Sequence, residues 1–78
     1  MDAKDTDPEI AHQRSLLAIH RGNVAHYLEQ VEFFGGDLRA APPPTRNGLA
    51  SERQKIAEVK AKLRSLGATV DDQDGDTE

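Results

Sequence analysis

Apolar side chains recur at helical spacing along two stretches of this chain. The first stretch carries Ile10, Leu17, Val24, Leu28, Val31 and Phe34; the second carries Leu49, Ile56, Val59, Leu63 and Leu66. Steps of three, four and seven residues fall on one stripe of a helix, and such a stripe has to be covered. The pattern predicts an all-α chain: an antiparallel two-helix hairpin with helices over residues 8–34 and 49–66. Seven seam positions belong to the first helix, namely Leu17, His20, Val24, Tyr27, Leu28, Val31 and Phe34. Five belong to the second, Leu49, Ile56, Val59, Leu63 and Leu66.

Local signals set the ends of these helices. Asp7 can accept from the free donors of the first turn, Pro8 suits a position whose N–H has no partner, and Glu9 favours the positive helix end. Gly35-Gly36 stops the first helix after Phe34. Gly22 interrupts it midway, at a bend or a close helix crossing. The connection 35–48 contains Pro42-Pro43-Pro44, read as a stiff extended spacer rather than a ligand for an aromatic groove. The second helix then starts near Gly48–Ser51, capped by Ser51 with Gln54 or by Asn47, and Gly67 follows its end.

Unequal helix lengths follow from those limits. About 26 residues span roughly 39 Å and about 18 span roughly 27 Å, so Pro8–Leu17 would project beyond the second helix. Ile10, Leu16 and Ile19 would then form an overhang to which a second chain could dock. In the same register Glu29 and Glu32 would approach Arg53 and Lys60, pairs that select orientation more than they stabilise.

Composition sharpens this picture. Residues 1–7 and 68–78 are polar and mostly acidic, a composition that predicts a disordered start and a disordered acidic tail around a domain of residues 8–67. The full chain has 78 residues and a formal net charge of −4, but five acids of that tail lie within its last eight residues. Residues 1–70 hold nine acidic and ten basic residues, and Leu49–Leu66 holds five bases against Glu52 and Glu58. One core in a domain this small supplies roughly 3–5 kcal/mol, which leaves a need for disulfides, a metal or assembly. The chain has no cysteine. Self-association into a four-helix bundle, as in a coiled coil, is the expected supplement, and the lack of an export signal or a membrane-spanning run points to the cytoplasm.

The candidate chemistry is sparse. His12, His20 and His26 lie eight and six residues apart, not the four that places two histidines on one face, so no metal site is expected. His20 falls inside the stripe, where a hydrogen-bonded polar group fixes register. The run Asp72–Glu78 lacks the glycine position and closing glutamate of a calcium loop. No nucleophile with a base, no phosphate-binding glycine loop and no room for a pocket of typical size are present, so no enzyme and no cofactor is expected. Arg53, Lys55, Lys60, Lys62 and Arg64 could meet phosphates, but they border the apolar stripe on both sides and no aromatic on that helix could stack a base. A membrane-surface helix ranks last, for want of tryptophan and of bases on the first helix.

Leu16-Leu17, His20-Arg21, Asn23, Tyr27-Leu28-Glu29 and Phe33-Phe34-Gly35, followed by a proline, Asn47, Ile56 and the Leu63, Leu66, Gly67 ending, make a pattern. It resembles the short helical hairpin segments attached to, or encoded beside, bacterial conflict and signalling effectors: STAND NTPases, TIR-domain proteins and caspase-like proteins. The resemblance covers Leu16–Gly67. Val24 stands where that family has a leucine, and the three-proline spacer is longer than its usual loop. The resemblance implies a non-catalytic adaptor that recruits an effector by like-with-like helical packing. The expected function is a protein–protein interaction module that forms homo-oligomers or joins a larger effector protein. The alternative is a small nucleic-acid-associated protein using the basic second helix, with the acidic tail as its regulator.

Overall fold

The structure is a computed structural model that describes residues 7–77, so the expectation for the N-terminal segment lies, Asp7 apart, outside the described residues. In order, the chain forms helix α1 (Pro8–Glu32), a single tight turn (Leu38–Ala40), helix α2 (Pro43–Ser65) and a second tight turn (Asp74–Asp76). Among the described residues there is no strand, and no helix is long and apolar enough to cross a membrane. The two helices lie antiparallel in a rod of 46 × 17 × 16 Å.

Helix α1 starts where the cap chemistry places it. Glu9 N donates to Asp7 Oδ1 at 2.8 Å, and Pro8 takes the first helical position. It ends at Glu32, two residues before the expected limit. Phe33 N and Phe34 N donate to carbonyls three residues back, and Gly36 N donates to Val31 O. Gly35 and Gly36 both hold φ near +79°, which tightens that last turn and throws the chain sideways. Phe34 therefore leaves the seam and is exposed, against the expectation that placed it there.

Helix α2 starts six residues before the expected Leu49. Pro42 is its N-cap, and Pro43 and Pro44 occupy its first turn. The first N–H groups of a helix have no intrahelical acceptor, so proline forfeits nothing there and brings a preset φ. The three prolines thus begin the helix instead of spacing it, and neither Asn47 nor Ser51 is a cap. The helices are 25 and 23 residues long. With that near-equality the projecting segment disappears. Gln30 and Tyr27 lie opposite Thr45 and Gly48, and His20 opposite Glu52. This register brings Ile10 level with the end of α2, where it is only 2% exposed.

The core is laid out in sevens. Ile10, Leu17, Val24 and Val31 from α1 meet Leu49, Ile56 and Leu63 from α2, with Val59 beside them. Leu16, Tyr27, Leu28 and Leu66 border this core half-buried. Of the seam side chains, Leu17, Val24, Val31, Leu49, Ile56, Val59 and Leu63 are buried within one chain, His20, Tyr27, Leu28 and Leu66 are half-buried, and Phe34 is exposed.

Residues 68–77, expected as a disordered acidic tail, instead fold back along the hairpin. Gly67, at φ +82°, ends α2 in the left-handed region; Gly67 N donates to Arg64 O and Ala68 N to Leu63 O, which satisfies the last carbonyls. Ala68 and Val70 then pack on the core, and the turn Asp74–Asp76 touches both helices. Composition misjudges this segment because Asp76 is buried and the exposed Asp71 and Asp72 pair with bases of the helices. Bases from both helices line the return path and neutralise them.

Candidate interaction surface

A polar layer crosses the seam at its middle. His20 Nδ1 lies 2.6 Å from Glu52 Oε2, with both side chains mostly covered. Burial pushes the Glu52 carboxyl up, but hydrogen bonds from His20 and from Asn23 outweigh it and hold the group below its ordinary range. Glu52 is therefore the acceptor, and His20 Nδ1 carries the donated proton. Two to three turns nearer the hairpin tip, Thr45 Oγ1 donates to Gln30 Oε1 at 3.2 Å. Gly48 lies under the Tyr27 ring, where a methyl group would overlap it. These groups pair only in one register, since a shift by one turn leaves each of them unsatisfied.

The folded-back strap is fixed by one carboxylate. Asp76 is 3% exposed. Its Oδ1 accepts from Arg21 Nε at 3.0 Å, and its Oδ2 accepts from Arg21 Nη2 at 2.8 Å, Lys60 Nζ at 2.9 Å and Gln73 N at 3.1 Å. The Arg21 guanidinium holds this carboxyl far below the usual carboxylate range, burial opposes the shift, and Lys60 reinforces it. Lys60 itself is 6% exposed and also pairs with Asp72. That pairing, helped by Asp76, raises its ammonium above the ordinary value despite burial. Arg53 Nε donates to Gly75 O at 3.1 Å, and Arg64 reaches Asp72 at 3.4 Å.

Three bases of α2, Arg53, Lys60 and Arg64, thus face the strap. Arg53 and Lys60 do not pair with Glu29 and Glu32 as the shorter helix implied; their partners lie in residues 72–76. Lys55 sits 3.8 Å from Glu52, and Lys62 is exposed.

Few large apolar groups remain in solvent. Ile19 is 57% exposed on the outer side of α1, and Phe33 is 86% exposed where the hairpin turns. Of the expected overhang, Ile10 is in the core, Leu16 packs against it, and Ile19 alone faces outward. At the same end of the rod as Phe33, the residues Leu28, Val31, Gly36, Leu38, Leu49 and Arg53 line an open notch of about 330 Å³. Among the described residues, no three histidine, cysteine, aspartate or glutamate side chains come together as a metal centre.

Arg21 and Asp76 were absent from the residues read as functional. Their signal is partly in the sequence: Lys60 stands four residues after Ile56 and three before Leu63, at the edge of the buried stripe, and a base there needs an acid from elsewhere. The acidic segment beyond Gly67 was the available source. No family model, no curated protein and no solved structure matches the chain.

Proposed function

We propose that this chain is a small non-catalytic protein–protein interaction module, an adaptor that assembles with copies of itself and so brings larger effector proteins together. The observation that carries this reading is the tip of the hairpin. A double-glycine turn presents Phe33 almost wholly to solvent, and a largely apolar notch lined by Leu28, Val31, Leu38, Leu49 and Arg53 opens at the same end of the rod. Exposed aromatics next to apolar pockets are the anchors around which interfaces form. Two copies meeting tip to tip would place the Phe33 ring of each against the notch of the other, a self-complementary arrangement. The resemblance of Leu16–Gly67 to effector-associated hairpins supports the same role. The buried core residues lie within one chain, so the tip is proposed as the contact in preference to a four-helix bundle formed along the seam.

The nucleic-acid alternative has less support, because Arg53, Lys60 and Arg64 are engaged by the strap. Light scattering across a dilution series tests the proposal on the full chain and on Phe33→Ser. The expected result is a mass above one copy that falls on dilution, and a Phe33→Ser chain of unchanged helicity that stays at one copy. A single-copy mass at every concentration, with the variant indistinguishable, overturns it.

A further inference from the structure

The furrow between α1 and α2 holds four cationic side chains whose partners all come from the strap. Arg21 engages Asp71 and Asp76, Lys60 engages Asp72 and Asp76, Arg64 engages Asp72, and Arg53 holds the Gly75 carbonyl. Among the described residues none of the four pairs with an acid on the helices themselves. Lys60 lies at the bottom of the furrow, where an ammonium is costly without a facing carboxylate. The helices have thus been left with charge that only an acidic segment can balance.

The strap leaves open space on both of its flanks. On its α2 side, beside Ala50, Gln54 and Ala57, an open space of about 400 Å³ flanks Asp76. On its α1 side, beside Val24, Ala25 and Leu28, about 210 Å³ remains. The strap brings one glycine and one anchoring carboxylate to the deepest point and fills neither flank. Its recognition is correspondingly general: a carboxylate for Arg21 and Lys60, and a main-chain carbonyl for Arg53.

We propose that this furrow is a binding site for an acidic peptide segment of a partner protein, anchored by one aspartate, and that residues 71–76 are its in-chain occupant. The inference rests on the interaction-module reading and names the chemistry of the partner. A partner segment with apolar side chains beside its aspartate fills the two flanks that the strap leaves open. The strap, tethered at Gly67, competes at high effective concentration, so only a segment with those extra contacts displaces it. The site is thereby closed to acidic peptides at large and open to a better-fitting one.

The test uses the full chain carrying Asp76→Asn, and as probe a fluorescent synthetic peptide of residues 68–77 read by anisotropy. A second variant, Asp72→Asn combined with Asp76→Asn, removes both strap carboxylates from Lys60 and leaves every helix residue unchanged. The expected result is saturable peptide binding to both variants, about tenfold or more weaker binding to the unaltered chain, whose own strap competes, and loss of binding when Lys60→Met is added. Circular dichroism checks that the helices persist. Failure of the peptide to bind either helical variant overturns the furrow site and leaves assembly through the tip standing. Equal binding to the unaltered chain, or binding indifferent to Lys60→Met, also overturns it. A single-copy mass overturns the tip assembly and leaves the furrow.

Discussion

Leu63→Ala should bring this protein close to unfolding, and the size of the effect follows from where Leu63 sits. The side chain is 0% exposed and lies among the core residues near the junction of α2 with the strap. Truncation removes apolar surface and leaves a cavity that two packed helices close only in part, a combined loss of about 2–5 kcal/mol. A single small core supplies roughly 3–5 kcal/mol in total. A loss of about 3 kcal/mol from about 4 leaves about 1, which puts roughly one molecule in six in the unfolded state at room temperature. Phe33→Ala is the control: at 86% exposure it should change the stability of the single chain by no more than about 0.5 kcal/mol. Urea titration followed by far-ultraviolet circular dichroism, at a concentration where each chain is monomeric, measures both. A loss under about 1 kcal/mol for Leu63→Ala, or an equal loss for Phe33→Ala, would refute the placement of Leu63 at the centre of the core.

The strap should withstand mild acid and fail in strong acid. Hydrogen bonds from Arg21, and then from Lys60, hold Asp76 well below its ordinary value of 3.8, so its contribution is complete above that value and is lost as pH falls beneath it. The Val70 methyl resonances should therefore hold steady from neutral pH to about pH 4 and move toward random-coil positions in stronger acid; release already at pH 6 would contradict the anchor. In the alkaline direction Lys60 is raised above 10.5, so its contribution is complete below that value and is lost as pH rises from it through the folded-state value. Gly48→Ala gains about 1 kcal/mol of helix propensity but forces the Tyr27 ring away, at about 1–3 kcal/mol, and should lower the melting temperature; a rise would show that the ring does not pack there.

What could be read from the sequence was whatever rests on local chemistry or on helical period. Leu17, Val24, Leu49, Ile56 and Leu63 reveal themselves because a helix buries one stripe, and repeats of seven return to it. The start of α1 is legible because Asp7, Pro8 and Glu9 act within a single turn. The start of α2 was not, because a proline run disfavours helix before a first turn and is harmless inside one; tertiary packing decides between the two. That one misplacement generated a second, the projecting overhang, which took Ile10 out of the core and Leu16 away from its edge. Order in the strap was illegible for a different reason. Its anchor joins Arg21 to Asp76 across 55 positions, and net charge describes the acids without saying which bases they meet.

Residues 68–77 are part of the fold, held by Asp76. Nitrogen-15 relaxation of the full chain at neutral pH measures this directly. Backbone order parameters near those of rigid helix, about 0.85, are expected from Ala68 through Asp76, with a drop in the same segment of Asp76→Asn. Values under about 0.6 across that segment in the unaltered chain would contradict the account.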